Sequence, residues 1–308
     1  MKISVIIPVF NEVDSIQELH EELTRVLLAY KPYEILFIDD GSTDGSVDVI
    51  NRLSQSDPSI NLIKFYRNYG KAAALAEGFK YANGDYIITM DADMQDDPAE
   101  IPNLILKLEE GFDLVSGWKK DRKDPISKRV PSKLFNLVTR LFTGVQIHDF
   151  NCGLKIYKKS VVKTLEIYGG RHRYIPALAG QKKFKVTEIV VHHRSRVHGI
   201  TKYGGSRLFH GLFDLISILF LSKYTQSPLY FFGQIGLFTF LGGLGIEFYV
   251  LYLKYGMGEP FAKHMALLML GILIIVIGIQ FFSIGLVGEM IANSNQDKES
   301  RVKGILKS

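Results

Sequence analysis

The sequence has a single cysteine, Cys152, among its 308 residues. This excludes a disulfide framework and any zinc or iron–sulfur site built mainly from thiolates. Its 10 prolines and 28 glycines show no collagen-like period. Only 22% of the residues are charged and 47% are hydrophobic, which excludes an intrinsically disordered chain. The composition therefore predicts one large folded domain or two smaller ones.

Two long apolar segments near the C-terminus carry much of the hydrophobic excess. Residues 265–288 contain no charged side chain, and residues 229–253 are interrupted only by Glu247. As a helix, residues 265–288 would be about 36 Å long, enough to cross a hydrocarbon core of roughly 30 Å. They predict a transmembrane hairpin over residues 226–292, because the length of the two segments and their lack of a polar face disfavour the alternative of two buried core helices. Glycines in residues 237–245 permit close helix contacts, so a homo-oligomer is an open expectation.

Basic residues flank this hairpin more densely than they occur in its short connection, residues 254–263. Lys223 precedes it, and four basic residues follow it: Lys298, Arg301, Lys303 and Lys307. The positive-inside rule therefore predicts a multi-pass protein of the plasma membrane with both termini in the cytoplasm. No signal peptide is expected, because Met1 and Lys2 run directly into a strand-like segment.

The N-terminal half alternates short β-rich apolar runs with helical patterns. The expected strands are residues 3–9, 34–38, 61–66 and 86–90. Continuous apolar strands separated by helices are typical of a mainly parallel sheet that is covered on both faces. We therefore expect an α/β catalytic domain over residues 1–205. An amphipathic interfacial helix over residues 206–225 and a cytoplasmic tail over residues 293–308 complete the expected organisation.

Polar motifs follow the four expected strands in order. They are PVFNE at 8–12, DDGSTD at 39–44, RNYGK at 67–71 and DADMQD at 91–96. A single motif of this kind is usually a solvated turn or a helix cap. In parallel sheets, however, ligands bind beyond the carboxyl ends of the strands. Carboxylates, amides, glycines and cations at four successive strand ends therefore indicate one shared binding crevice.

The order PVFNE, DDGSTDG, RNYGKAAAL, DADMQD resembles that of family 2 glycosyltransferases with a GT-A fold. The continuation GWKKDRKDP and CGLK, with two C-terminal membrane helices, is similar to the polyprenyl-phosphate glycosyltransferases. That group includes dolichyl-phosphate mannose synthases and bacterial undecaprenyl-phosphate glucosyltransferases. The resemblance covers essentially the whole chain and implies a Rossmann-like GT-A domain. Its partners would be a nucleotide sugar, a polyprenyl phosphate and the bilayer, and no nucleic acid is expected.

The resemblance implies that the DADMQ motif holds Mg²⁺ or Mn²⁺ through Asp91, Asp93 and Gln95, with Asp93 also catalytic. Asp91 and Asp93 would point to the same side of an extended segment, and hard oxygen ligands suit such a cation. The cation would stabilise charge on the leaving diphosphate. Asp40 would hydrogen-bond the base. The implied nucleotide-sugar pocket comprises Pro8, Phe10, Asn11, Glu12, Asp40, Gly70, Lys71, Asp91, Ala92 and Lys202.

The expected acceptor side is basic. Residues 119–140 carry a net charge of +6 and residues 171–207 a net charge of +8. This charge suits a lipid phosphate, with nonspecific attraction to anionic lipid as the alternative. The resemblance implies that the lipid phosphate is held by Lys119, Arg129 and Ser132, with Lys128 as an alternative to Arg129. It also implies a loop, residues 194–203, that closes over the diphosphate.

A lipid monophosphate is already ionised at neutral pH and can attack without a general base. Asp149 lies where the family often places an acidic catalytic residue, although Asn151 and Gly153 compete for that alignment and a structural turn is the alternative. The expected reaction is inverting transfer of a hexose, from UDP-glucose or secondly GDP-mannose, to a polyprenyl phosphate. Two alternatives stay open: extension of a glycolipid or polysaccharide, and a non-catalytic nucleotide-binding membrane scaffold.

Overall fold

The computed structural model describes residues 1–120, 132, 136–141, 143–165, 169–194 and 228–294. The chain divides into two compact units, Met1–Leu219 and Phe220–Ser308. The expected interfacial helix over residues 206–225 and nearly all of the expected tail over residues 293–308 lie outside the described residues. The domain boundaries expected from the sequence therefore stay predictions.

The first unit is built on a seven-stranded sheet in the order β3-β2-β1-β4-β6-β5-β7. Its strands are β1 (Ile3–Val9), β2 (Tyr33–Asp39), β3 (Ile60–Lys64), β4 (Tyr86–Thr89), β5 (Leu114–Trp118), β6 (Lys155–Lys158) and β7 (Val186–Val190). Its α-helices are α1 (Ile16–Leu27), α2 (Ser46–Ser56), α3 (Lys71–Tyr81), α4 (Ile101–Glu109), α5 (Lys159–Thr164) and α6 (Ile175–Gln181). Short 3-10 helices include Pro98–Glu100 and Gly169–Tyr174.

Most neighbouring strands of the sheet run parallel. The pairs β1–β2, β1–β4, β2–β3 and β5–β7 are parallel, whereas β6 runs antiparallel to both β4 and β5. The four strands expected from the sequence are all present, and the largest boundary difference is that β3 ends at Lys64. The expected α/β class with a mainly parallel sheet is confirmed. The reversed strand β6 was not expected.

Apolar cores cover both faces of the sheet. In β1, Ile3, Val5 and Ile7 belong to one core with α1 and α4, while Ile6 belongs to the other with α3. This alternation follows from the two-residue period of a strand. In α3, Gly78 permits the close approach, because a Cβ at this position would collide with the side chain of Ile6. The sheet is thus buried on both faces, as parallel sheets require.

The second unit is a hairpin of two long apolar helices, α7 (Pro228–Tyr255) and α8 (Met265–Ser294). Within the spans Pro228–Tyr255 and Phe261–Ile291, an 18-residue window has a mean hydropathy of 1.6 and 2.7 respectively, and only 17% and 11% of those windows are buried. Helices of this length and composition are long enough to cross a bilayer. They are therefore candidate membrane spans, at the positions where the sequence predicted them.

A seam of glycines brings the two helices of the hairpin together. A Cβ on Gly278 of α8 would lie 2.7 Å from the backbone nitrogen of Phe240 and 2.9 Å from the carbonyl oxygen of Gly236. Close backbone approach of this kind is a main source of helix association in lipid. Gly242 and Gly245 have nothing within 4 Å of a would-be Cβ, so they lie outside the seam. A homo-oligomer that uses them stays a prediction.

We predict that Gly278→Ala destabilises the hairpin, because the added methyl group has no room between α7 and α8. Overpacking of this kind costs about 1–3 kcal/mol. The measurement is thermal unfolding of the full chain in detergent micelles, followed by helical circular dichroism. The matched control is Gly245→Ala, whose methyl group would enter open space. Equal unfolding temperatures for the two variants would contradict the packing described here.

Candidate active site

The four polar motifs lie side by side at one edge of the sheet, because β3, β2, β1 and β4 are parallel neighbours. Asn11 joins the loops after β1 and β2. Its backbone N–H donates to Ser42 Oγ at 3.0 Å, and its Oδ1 accepts the N–H of Thr43 at 2.8 Å. Asn11 has a φ of 55°, a left-handed conformation that asparagine adopts more readily than most residues. The loops are therefore in direct contact, as the sequence pattern predicts.

The buried carboxylate of Asp40 organises the loop that leads into α3. It accepts hydrogen bonds from the N–H groups of Tyr69 at 2.6 Å and Gly70 at 2.9 Å. Burial raises the pKa of Asp40, and these two N–H groups offset only part of that rise. The loop passes so close that a Cβ on Gly41 would lie 2.6 Å from the carbonyl carbon of Arg67. Binding of the base by Asp40 stays a prediction.

Residues 91–96, which follow β4, form a turn and not the extended segment expected from the sequence. Ala92 and Asp93 lie in the turn, and Met94 has a φ of 61°. The N–H of Gln95 donates to Asp93 Oδ1 at 3.2 Å and closes the turn. Burial nevertheless alternates along the turn. The partly exposed side chains are Asp91, Asp93 and Gln95, and the buried ones are Ala92, Met94 and Asp96.

Two ion pairs neutralise two of the three carboxylates of this turn, those of Asp91 and Asp96. Lys71, the first residue of α3, pairs through Nζ with Asp91 Oδ1. Lys119 Nζ lies 2.8 Å from Asp96 Oδ1, and the two side chains are 10% and 1% exposed. Asp96 Oδ2 also accepts the backbone N–H of Asp91 at 3.3 Å. Burial raises the pKa of Asp91, but Lys71 and Lys119 outweigh that effect and hold it at about 2.

The start of β6 packs directly against these carboxylates. A Cβ on Gly153 would lie 2.7 Å from Oδ2 of both Asp91 and Asp96, so only glycine fits here. The buried ammonium of Lys155 donates to the carbonyl of Cys152. Burial raises the pKa of the Cys152 thiol to about 12, which keeps it protonated. The sequence did not indicate that Asp96 and Lys155 face inward.

Asp149 lies in the turn that precedes β6 and is 2% exposed. Its Oδ1 accepts the N–H of Asn151 at 3.0 Å, and its own N–H faces Glu188 Oε2 at 3.3 Å. The same carboxylate oxygen of Glu188 accepts the N–H of His148 at 2.7 Å. The structure thus shows the turn role considered for Asp149, and its catalytic role stays a prediction.

The chain after β7 runs beside the 91–96 turn, a contact that the sequence pattern did not predict. The N–H of Arg194 donates to the carbonyl of Gln95 at 3.0 Å. The Arg194 guanidinium pairs with Glu22 and with Asp97, each at 2.8 Å. Because these partners are 172 and 97 positions away in sequence, no local spacing signals the contact. The rest of the expected closing loop, residues 195–203, lies outside the described residues.

The other expected site residues are distributed as follows. Pro8, Phe10 and Glu12 are half-buried at the end of β1, and the N–H of Glu12 donates to Ser46 Oγ at 3.0 Å. Ser132 is helical and half-buried. Lys119 is paired with Asp96, so its expected contact with a lipid phosphate stays a prediction. Three residues lie outside the described part of the chain: Lys128, Arg129 and Lys202.

A family model described as Glycosyl transferase family 2 matches residues 4–166. The chain belongs to glycosyl transferase family 2. This family 2 glycosyltransferase is 35% identical over 300 residues to dodecaprenyl-phosphate galacturonate synthase of Rhizobium johnstonii, covering 96% of this chain and 88% of that protein. It is 36% identical over 302 residues to undecaprenyl-phosphate 4-deoxy-4-formamido-L-arabinose transferase of Salmonella paratyphi B, covering 97% and 91% respectively.

Solved structures confirm the GT-A fold. Glucosyl-3-phosphoglycerate synthase from Mycobacterium tuberculosis, in complex with phosphoglyceric acid, matches with a TM-score of 0.57 at 18% identity, covering 72% of this chain and 79% of that chain. A structure of the same enzyme with Mn²⁺, UDP-glucose and phosphoglyceric acid gives a TM-score of 0.55 at 18% identity, with coverages of 72% and 79%. At this identity the likeness establishes the fold of the glycosyltransferase and no substrate.

We predict that Lys119→Met strongly destabilises the catalytic unit, because it leaves the buried carboxylate of Asp96 without its counter-ion. Loss of one partner of a buried ion pair costs about 3–5 kcal/mol. The measurement is equilibrium denaturation of the full chain in detergent. Lys120→Met is the matched control, since Lys120 is exposed and surface changes usually stay within about 0.5 kcal/mol. If both variants lose the same stability, the Lys119–Asp96 pair has no structural importance.

Proposed function

We propose that this chain transfers a sugar from a nucleotide diphosphate to a polyprenyl phosphate, with inversion at the anomeric carbon. The observation that carries the proposal is the 91–96 turn, where Asp91, Asp93 and Gln95 are each partly exposed and Asp91 pairs with Lys71. The two relatives described above, matched over nearly the whole chain, are named for transfer to dodecaprenyl and undecaprenyl phosphate. Two candidate membrane spans in the same chain suit a lipid acceptor.

The donor side of the proposal is built on oxygen ligands. Asp93 and Gln95 are partly exposed, and carboxylate and amide oxygens are what Mg²⁺ and Mn²⁺ prefer. Asp91 completes the proposed set, although its carboxylate is held by Lys71 in the structure. The cation supplies compensation for the charge on the leaving diphosphate. Lys71 begins α3, where a helix N-terminus and an ammonium favour phosphate groups.

The acceptor is an ionised phosphate monoester in this proposal. One of its oxygens forms the new bond to the anomeric carbon while the bond from that carbon to the diphosphate oxygen breaks, and the electron pair leaves with the nucleoside diphosphate. No proton has to be removed from the acceptor, so the reaction does not need Asp149 as a base. Lys119, Arg129 and Ser132 are the proposed ligands of the lipid phosphate, and Lys202 is proposed to contact the donor.

The deciding experiment is a transfer assay with the purified full chain, undecaprenyl phosphate, Mn²⁺ and a panel of radiolabelled donors. The panel contains UDP-glucose, GDP-mannose, and the galacturonate and 4-deoxy-4-formamido-L-arabinose donors suggested by the named relatives. We expect one donor to give a lipid-phosphate-linked sugar, with UDP-glucose as the first candidate. Label appearing only on an added glycolipid would favour chain extension. Nucleotide binding without any product would favour a non-catalytic scaffold.

We predict that Asp93→Asn lowers transfer at least about a hundredfold, because several kcal/mol of charge stabilisation at the diphosphate is lost. Folding is expected to survive, since the Asp93 side chain is partly exposed. Initial rates with and without excess EDTA are the readout. Asp48→Asn, which removes an exposed carboxylate in the first turn of α2, is the matched control. Near-normal rates for Asp93→Asn, or full wild-type activity in EDTA, would rule out the metal assignment.

We further predict that both termini lie in the cytoplasm and that residues 254–263 lie on the other side of the plasma membrane. Two spans return the chain to its starting side, and the basic residues that follow the hairpin favour the cytoplasm. Nucleotide sugars are also cytoplasmic. Topology reporters fused after Ser308 and inserted in residues 254–263 test this orientation. An extracytoplasmic tail or a cytoplasmic connection would refute it.

A further inference from the structure

The 3-10 helix Gly169–Tyr174 brings a histidine next to the candidate active site. This short helix packs against α3, whose first residue is Lys71. Tyr174 anchors it, because its side chain is fully buried in a small core with Phe150 and Ile147. The position of His172, two residues earlier, is therefore set by the packing of the domain. No sequence motif indicates a function for this histidine.

The ring of His172 has an unmet hydrogen-bonding requirement. Its Nδ1 is enclosed by protein and has no hydrogen-bond partner among the described residues. An enclosed polar atom without a partner lowers stability, because it has lost its hydrogen bonds to water and gained none in return. Such an atom in a natural protein calls for an explanation. Next to an active site, the simplest explanation is that a substrate group supplies the missing hydrogen-bond partner.

The charges around His172 identify the kind of ligand. Three cationic groups act on its ring, those of Lys71, Arg173 and Lys155, against one carboxylate, that of Asp91. Asp91 is already paired with Lys71, and the structure records no ion pair for Lys155 within the described residues. Burial and these cations lower the pKa of His172 to about 3, so the ring is neutral and keeps one N–H donor.

A neutral imidazole can bind either a cation or an anion. Bound metal is disfavoured at His172 because positive groups outnumber carboxylates among the charges that act on the ring, and no group of three His, Cys, Asp or Glu side chains placed to hold a metal occurs in the part of the chain that the structure describes. An anion instead gains from the same positive surroundings. Phosphate oxygens accept hydrogen bonds and are present on both substrates of the proposed reaction.

We propose that His172 is a phosphate-binding residue, donating a hydrogen bond to a substrate phosphate in a subsite made electropositive by Arg173 and Lys155, since Lys71 and Asp91 offset each other. This inference rests on the proposed function for the identity of the substrates. The phosphate belongs either to the diphosphate of the donor or to the lipid acceptor. Because the chemistry is the same in both cases, the experiment below separates the two sources.

The test compares His172→Asn with His172→Leu in the full chain in detergent, since these side chains have similar size and only asparagine offers an N–H. UDP affinity in the presence of Mn²⁺ is measured by calorimetry, and KM for undecaprenyl phosphate by the transfer assay. We expect His172→Leu to weaken one of the two by at least about tenfold and His172→Asn to stay within about threefold of wild type. Weaker UDP binding would show that His172 binds the diphosphate of the donor. A higher KM for the lipid would show that it binds the phosphate of the acceptor.

His20→Leu is the matched control, because His20 on α1 is also largely buried but pairs with Asp57 at 2.9 Å. We expect His20→Leu to change the unfolding temperature but to leave both the UDP affinity and the KM for undecaprenyl phosphate unchanged. The proposal is overturned if His172→Leu keeps both constants, or if the leucine and asparagine variants are equally impaired. If either variant does not fold, ¹⁵N spectra of histidine-labelled wild type replace it, and an unmoved His172 signal with UDP and with lipid phosphate overturns the proposal. Absence of transfer by wild type, with UDP affinity still dependent on His172, would refute the proposed function alone.

Discussion

Carboxylates that leave water need a positive partner, and the end of the sheet that carries the candidate site is arranged around this need. Asp96 lies beneath the turn that follows β4, with Lys119 as its counter-ion, and Asp91 pairs with Lys71. Each pair joins segments that are distant in sequence. Because a buried charge that loses its partner is costly, these pairs hold the end of β4, the end of β5 and the start of α3 in one arrangement. A substrate phosphate or metal ion bound as proposed would meet the carboxylates in that arrangement.

Features that depend on neighbours in sequence were predictable. Apolar runs with intervening helical patterns indicated the parallel α/β sheet, and the shared direction of β1 to β4 placed the four polar motifs at one edge. The hairpin followed from length and hydropathy alone. The resemblance to family 2 glycosyltransferases, carried by the same motifs, is confirmed by the family match. In each case a local pattern and a simple geometric rule were sufficient.

Features that depend on distant partners were not predictable. Lys119 begins a run of basic residues that the sequence predicts to face a lipid phosphate, yet it is largely buried and pairs with Asp96, while Lys120 stays exposed. Only the position of Asp96 in the folded chain distinguishes the two lysines. Arg194 meets Glu22 across 172 positions, and no periodicity encodes such a contact. The turn at residues 92–93 also escaped prediction, because alternating polar residues suggest an extended segment equally well.

The close approach of Gly153 has a consequence for how such a site diversifies. Its main chain touches the carboxylates of Asp91 and Asp96, and a side chain there would push both out of place. Substitution at position 153 is therefore not a route by which this site can change. The two named relatives handle different sugars, a uronic acid and an amino-sugar derivative. In the proposed function, changes in donor preference would therefore have to use other side chains of the site and leave Gly153 in place.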